Sequence, residues 1–341
     1  MNIIKFMKKI NYLLIVIILL KVFLVGYFTV FSKKNLYETT INIVAHPNDD
    51  LLFLSPNLIN DIEKNKRVVT IFLTSGDSGK NQNYWLSLEE GIKNSYAYLA
   101  NKKNSWIKRN IFYKKNQITR FILKENNKIV LIFLRLPDGN YKGQGFKNNY
   151  YQSLEKLWLK KIKNIYSVDK LSLYSKESLI SVLYYLINLY KPNVINTHNL
   201  VDNFNARNHS DHYVTAYFSY EAEKKYKQPH QFNLYIDKEI KSLPENIFGE
   251  KKIKKEKAFL IYAQYDKKAL SIPYLKLIAR QYIKTSISRV SFNINQKLSP
   301  LYTEGHLVRT IREGDIVILK GATTQLFGYH EYPLEIFWKR F

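Results

Sequence analysis

The feature that most constrains the fold is a repeated succession of a short apolar run, a polar cluster and a helical segment. Four apolar runs rich in β-branched residues predict strands: 40–45, 68–74, 129–134 and 194–197. Residues 87–100 and 175–190 predict helices, because their apolar residues recur at helical spacing. Strands that alternate with helices predict an α/β fold, with a Rossmann-like, mainly parallel sheet flanked by helices.

Polar residues cluster where these predicted strands end. The clusters are His46 to Asp50, Ser75 to Ser78, Leu136 to Asn140, and His198 to His212. In open α/β sheets, ligands bind at the carboxyl ends of the strands. We therefore expect the four clusters to converge on one active site. Residues 110–135 are expected to form a hairpin with its turn at Asn126 and Asn127.

Composition limits the chemistry that the 341 residues can perform. The chain has no cysteine, which excludes disulfides, thiolate metal sites and cysteine nucleophiles, so any metal must be held by His and carboxylate. The net charge is +25, which is compatible with nucleic acid, anionic lipid or acidic glycan. The lysines are spread over many short runs, and an AT-rich coding bias would explain them equally well.

The N-terminal residues predict a membrane segment. Tyr12 to Phe31 is apolar except for Lys21, and twenty helical residues rise about 30 Å, enough to cross a bilayer. We predict a cytoplasmic stub and transmembrane signal anchor at 1–35, embedded through 11–32, and one α/β domain at 38–341 that is less regular from about 260. The expected location is the cell membrane, single-pass, with the main domain outside the cytoplasm.

Two histidines three residues apart, His209 and His212, enter a predicted helix, and this spacing places both rings on one side of a helical turn. Alone, such a pair is a weak signal. It becomes specific when joined to the strand-end sequence His46-Pro47-Asn48-Asp49.

At these residues the chain resembles the LmbE-like, or PIG-L-like, zinc de-N-acetylases. That family has A-H-P-D-D-E after its first strand and H-x-D-H at the start of a later helix. The corresponding segments here are Ala45-His46-Pro47-Asn48-Asp49-Asp50 and His209-Ser210-Asp211-His212. Leu73 to Gly79 and Leu134 to Asn140 also look like family segments in the expected order, so the resemblance spans roughly 40–226.

The resemblance implies a role for each matched position. His46, Asp49 and His212 would be the ligands of one Zn²⁺, with an open position as a catalytic zinc requires. The metal would activate water and polarise the acetamide carbonyl. His209 would stabilise the oxyanion or protonate the leaving amine, and Asp211 would orient and charge His209.

Asn48 departs from the family, which has its general-base aspartate at this position. An amide cannot accept the proton of water near neutral pH, although it can position the water. Three outcomes stay open. Asp50 replaces the base, or turnover is slow through zinc-hydroxide with His209 moving the proton. In the third, the site is inactive, either retained for binding or carrying Asn48 as a change introduced to trap a complex. Leu88, where relatives often have Arg, puts substrate contacts in doubt.

Four further residues are candidate substrate contacts. Asp77 and Asp138 follow strands and could bind substrate hydroxyls, but turn-forming Asp residues have the same pattern. Arg135 could meet a sugar or an acidic group, or form a structural ion pair. His198 is expected to line the pocket, with a fourth metal ligand as the alternative.

These observations predict a zinc-dependent hydrolase that removes the acetyl group from an N-acetylated amino sugar, such as an N-acetylglucosamine-type unit of a surface glycan or glycolipid. The alternative is a catalytically inactive carbohydrate-binding relative. Nucleic acid is not an expected partner, because no aromatic-basic or helix-turn-helix pattern accompanies the charge. A dinucleotide-binding site is not expected either, because no Gly-x-Gly-x-x-Gly follows the first strand. The sequence leaves the oligomeric state open.

Overall fold

The computed structural model describes residues 38–200 and 208–289. The strands are β1 (Thr39–Val44), β2 (Arg67–Thr74), β3 (Trp106–Tyr113), β4 (Asn116–Leu123), β5 (Ile129–Leu136), β6 (Ile165–Tyr166), β7 (Leu173–Tyr174), β8 (Val194–His198), β9 (His230–Tyr235) and β10 (Ile283–Arg289). Eight of them form one sheet in the order β10-β9-β8-β1-β2-β5-β4-β3, and β6 and β7 pair separately.

Helices cover both faces of this sheet. They are α1 (Asp49–Phe53), α2 (Asn57–Glu63), α3 (Gln82–Leu99), α4 (Leu154–Trp158), α5 (Lys176–Tyr190), α6 (Ser210–Glu223), α7 (Gly249–Ala263) and α8 (Ile272–Leu275), with 3₁₀ turns at Lys147–Asn149, Lys238–Ser242 and Lys267–Leu270. One apolar core lies between the sheet and α5 with α6, and a second lies between the sheet and α1, α2, α3 and α7.

The central strands are parallel, and the edges are antiparallel. β1 pairs in parallel with both β2 and β8, while β3, β4 and β10 run antiparallel to their neighbours. The chain runs from β1 outwards to β2 and β5, and later returns to place β8 on the other side of β1. Such a reversal of strand order opens a crevice at the carboxyl ends of the strands, where ligands bind. The predicted α/β fold, with a mainly parallel sheet flanked by helices, is confirmed.

Local sequence explains where the helices begin. Ser175 caps α5 through a capping box with Ser178, as expected for the helix predicted at 175–190. Asn81 caps α3 by accepting the Tyr84 N–H, and the first residue of this helix is five positions earlier than the prediction at 87. The predicted hairpin is present as β4 and β5, but a further turn at Lys114 and Lys115 adds the edge strand β3.

Within the described ranges, no helix combines the length and the apolar character needed to cross a bilayer. The anchor predicted at 1–35 lies outside those ranges, as does most of the less regular part expected beyond about 260. The membrane segment and the domain limits therefore stay predictions.

Candidate active site

A tight turn after β1 creates the first half of the site. His46 leaves the strand, Asn48 has φ 110°, and α1 begins at Asp49. Asparagine is among the few residues other than glycine that adopt positive φ readily. The turn brings the Asp49 carboxylate back over His46, whose backbone N–H donates to Asp49 Oδ2 at 2.7 Å.

His212, in the first turn of α6, completes a triangle of donor atoms. His46 Nδ1 lies 3.2 Å from Asp49 Oδ2 and 3.2 Å from His212 Nε2, and His212 Nε2 lies 3.3 Å from Asp49 Oδ1. Ligands about 2.0–2.1 Å from a tetrahedral Zn²⁺ are themselves separated by about 3.3 Å. The three predicted ligands are thus brought together at a spacing that fits such an ion.

The protonation preferences of two of these ligands suit a cation. Burial lowers the pKa of His212 to about 4, so its ring is neutral at pH 7. Burial alone would raise the pKa of Asp49, but His212 and His46 hold it well below its usual range. A neutral imidazole and an ionised carboxylate are the forms that bind metal.

Other donor sets lie in the same cluster, including His46 with His209 and His212, and His198 with His212 and Asp237. The second of these is fully buried, so it offers no open position for a substrate. We favour the set containing Asp49, because its three residues approach one another at 3.2–3.3 Å, line the pocket and include an anionic ligand.

Asp211 contacts a metal-ligand candidate. Its Oδ2 lies 3.2 Å from His46 Nε2 and accepts the Gly139 N–H at 2.8 Å. Such a carboxylate behind a histidine fixes the orientation of the ring. Gly139 is required here, since a Cβ would lie 2.5 Å from Asp211 Oδ1. The expected partner of Asp211 was His209, but the two side chains are 3.9 Å apart, so the structure places Asp211 behind His46.

His209 is the N-cap residue of α6 and lines the pocket. The Asp211 backbone N–H donates to His209 Nδ1 at 3.3 Å, which leaves the proton of a neutral ring on Nε2. Burial, with the nearby His46, His212 and Lys238, holds the pKa of His209 well below its usual range. The ring is therefore a neutral hydrogen-bond donor in the pocket.

The side chain of Asn48 lies at the pocket, and the side chain of Asp50 lies in the core. Asn48 lines the pocket, and its side chain makes no hydrogen bond within the described ranges. Asp50 is fully buried and accepts the Tyr96 hydroxyl at 2.5 Å on the side of α3. Consecutive residues of a helix face different directions, so Asp50 does not reach the position where a general base would act. The expectation that Asp50 replaces the base is therefore wrong in this geometry.

His198 packs against the candidate site from inside the core. It is fully buried, its ring stacks on His212 at 4.5 Å, and its Nε2 accepts the Ala45 N–H at 3.0 Å. Its Nδ1–H donates to the Asp237 carboxylate, and this bond fixes the neutral tautomer whose unprotonated Nε2 accepts from Ala45. The predicted pocket-lining position is corrected, because His198 has no surface facing the pocket.

Of the two predicted loop aspartates, one reaches the pocket. Asp138 lines it, with Oδ1 3.9 Å from His209 Nε2. Asp77 is buried and accepts hydrogen bonds from Ser75, Gly79, the Asp138 backbone and Asn149, so its carboxylate organises the loops around the site. For Asp77 the turn-forming alternative is the one observed.

Arg135 also lies outside the pocket lining. Its guanidinium donates to both carboxylate oxygens of Glu89 at 2.6 and 2.8 Å and to Asp169 at 3.0 Å, and it stacks on Trp85. The predicted substrate contact is thus replaced by its alternative, a buried structural ion pair.

The pocket is a cleft of about 660 Å³ that is open to solvent. Six of its lining residues were missed from the sequence: Phe53, Lys238, Tyr262, Asp266, Lys268 and Tyr274. Four of them lie beyond residue 260, where the sequence pattern is weakest. Asp237 was missed as well, although its place just after β9 is the same strand-end signal that identified the other clusters.

One known protein family matches the part of the chain that contains this site. Residues 41–223, more than half of the chain, match the family model PIG-L, GlcNAc-PI de-N-acetylase. No curated protein matches the chain in sequence.

Three solved structures match the chain at low similarity. N,N'-diacetylchitobiose deacetylase from Pyrococcus horikoshii has 12% identity and a TM-score of 0.38 over 70% of this chain and 73% of its own. The zinc-inhibited form of teicoplanin deacetylase Orf2 has 10% identity and 0.39 over 69% and 88%. GalB, the 4-carboxy-2-hydroxymuconate hydratase from Pseudomonas putida KT2440, has 10% identity and 0.38 over 68% and 85%. These likenesses are too distant to bear on the reaction. The family match, which contains both His46-Pro47-Asn48-Asp49 and His209-Ser210-Asp211-His212, is sufficient to show that the chain belongs to the PIG-L family of de-N-acetylases.

Proposed function

We propose that the chain is a zinc-dependent hydrolase that removes the acetyl group from an N-acetylated amino sugar. The observation that carries the proposal is the triangle of His46, Asp49 and His212 donor atoms, 3.2–3.3 Å apart, in an open pocket with His209 on its wall. A Zn²⁺ held by these residues would supply a Lewis acid and lower the pKa of water.

The residues of the chain supply the remaining chemistry. His209 Nε2–H donates to the oxygen that gains charge when water attacks the acetamide carbonyl, as a fixed donor does in an oxyanion hole. Asp211 keeps the His46 ring in its orientation through Nε2. Asn48 holds the attacking water through its amide but accepts no proton from it, which costs roughly 10²- to 10⁴-fold in rate.

The substrate proposal rests on the family and on the lining of the pocket. Two partly exposed tyrosines, Tyr84 and Tyr274, line the cleft and offer ring surfaces of the kind that bind sugars. We extend the proposal to an N-acetylglucosamine-type unit of a surface glycan or glycolipid. The proposed location, a single-pass anchor at 1–35 with the main domain outside the cytoplasm, rests on sequence alone.

A second function is favoured by one observation. Asn48 occupies the wall of the pocket where the family has its base, and Asp50 is turned into the core. A protein with this arrangement could bind an N-acetylated sugar without cleaving it.

Acetate release from N-acetylglucosamine oligosaccharides separates the two functions. The hydrolase predicts slow release that His212→Ala abolishes and that Asn48→Asp raises by roughly 10²- to 10⁴-fold. His230→Ala is the matched control, because His230 is also buried but pairs with Glu223 and does not line the pocket. Release that persists in His212→Ala would refute the hydrolase. Sugar binding with no release, even in Asn48→Asp, would select the binding protein.

A further inference from the structure

Residues 267–276, which we name the docking segment, carry apolar side chains on the surface of the protein. Leu270 is 51% exposed, Ile272 70% and Leu275 43%. Single exposed apolar residues are common on proteins, but three within six positions make this segment a candidate interaction site.

The other side of the docking segment is packed, so the exposed residues are held in place. Ala269 is fully buried, and the Tyr274 ring stacks on Phe259 of α7 at 6.4 Å. Leu277 and Ile278, which follow the segment, are buried in the same core. The segment therefore presents its apolar side chains outward from a fixed backbone.

The charged side chains of the docking segment are all positive. Lys267, Lys268 and Lys276 are exposed, and Lys267 and Lys276 form no ion pair within the described ranges. The neighbouring acid, Asp266, is buried and accepts the hydroxyls of Tyr84 and Tyr262. Apolar side chains flanked by uncompensated lysines match the interface of an anionic bilayer, where the apolar groups enter the headgroup region and the lysines meet the phosphates.

The docking segment also borders the proposed active site. Lys268 and Tyr274 belong to it and line the pocket that contains His46 and Asp49. We propose that the docking segment binds an anionic lipid surface and places the mouth of the pocket against it. If the proposed function holds, this geometry favours an amino sugar attached to a lipid; the binding to lipid itself does not depend on the reaction.

The absence of cysteine from the chain allows a direct test. A fluorophore that is sensitive to its environment, such as NBD, is attached to the full chain at Ser271→Cys within the docking segment. The matched control is Phe112→Cys on the edge strand β3, because Phe112 is 69% exposed and has basic neighbours. Each protein is mixed with vesicles of phosphatidylcholine alone, or of phosphatidylcholine with phosphatidylserine, with and without a nitroxide-labelled lipid as quencher.

We expect the probe at 271 to shift to the blue and to be quenched with the anionic vesicles, and the probe at 112 to do neither. If another part of the chain binds the vesicle, both probes approach the vesicle to the same extent. Equal responses therefore distinguish that mode of binding from binding through the docking segment. The double variant Lys267→Gln with Lys276→Gln should lower the ratio of docked to undocked protein about five-fold for each lysine.

Three results would overturn the proposal: no response at 271, an equal response at both positions, or a blue-shifted probe at 271 before vesicles are added. The last would show that another part of the chain covers the segment. None of these results affects acetate release from a soluble sugar, so failure of the docking proposal and failure of the hydrolase proposal are distinguishable.

Discussion

Asp50→Asn should stabilise the protein at neutral pH and have little such benefit in acid. Burial raises the pKa of Asp50 from the ordinary 3.8 to about 7, and its Oδ1 has no hydrogen-bond partner. The folded state therefore holds a proton that the unfolded chain releases above pH 4. Between about pH 4 and 7 the free energy of unfolding falls as the pH rises, by about 1.4 kcal/mol per unit. Over three units the loss is about 4 kcal/mol.

An asparagine of nearly equal shape still accepts the Tyr96 hydroxyl but does not titrate. The stability of Asp50→Asn relative to the natural protein should thus rise by about 4 kcal/mol between pH 4 and pH 8. Urea unfolding at a series of pH values measures the difference. A chelator in every sample prevents metal binding from adding a pH dependence of its own.

Glu63→Gln is the control with the opposite sign. Hydrogen bonds from Lys251 and Lys254 lower the pKa of Glu63, so this carboxylate contributes stability above the pKa of the unfolded chain and loses it in acid. Its removal should cost stability at neutral pH and nothing in acid. A pH-independent difference between Asp50→Asn and the natural protein would refute the reasoning about Asp50.

Three further substitutions test the supports of the site. Arg135→Met leaves the Glu89 carboxylate buried without its main partner and should destabilise the fold by about 3–5 kcal/mol in urea unfolding. A raised KM with unchanged stability would instead indicate that Arg135 contacts the substrate. Gly139→Ala places a Cβ within 2.5 Å of Asp211 Oδ1 and should weaken zinc binding by roughly 10- to 100-fold in a chelator competition; unchanged affinity would contradict the role of Asp211 behind His46. Lys255→Met leaves three backbone carbonyls without their ammonium donor and should lower stability by about 1–3 kcal/mol. A higher stability of this variant would show that the cost of burying the lysine exceeds the stabilisation from its hydrogen bonds.

The parts of the fold that follow from sequence are those set by local pattern. β5 is buried along its whole length, and a continuous apolar run is how such a strand appears in a sequence. His46 and His212 were identified because each stands at a boundary between a regular element and a loop. The edge strand β3 was missed, because its residues alternate weakly and only one of its eight side chains is buried.

Tertiary partners explain what the sequence did not predict. Nothing near Arg135 in the chain reveals Glu89, and nothing near His198 reveals Asp237, because these pairs are 46 and 39 residues apart. The same holds for Asp211: its expected partner, His209, lies close to it in the sequence, but the fold turns its carboxylate to His46, 165 residues away. Residue type and spacing identified this cluster, and packing decided which members face the pocket.

The central claim is tested most directly by measuring acetate release from an N-acetylglucosamine oligosaccharide while zinc is titrated into metal-free Asn48→Asp protein. The account predicts release that grows with added zinc, levels off near one zinc per chain, and is absent when His212→Ala is added to the same protein. Release that ignores zinc, or that survives the loss of His212, would contradict it.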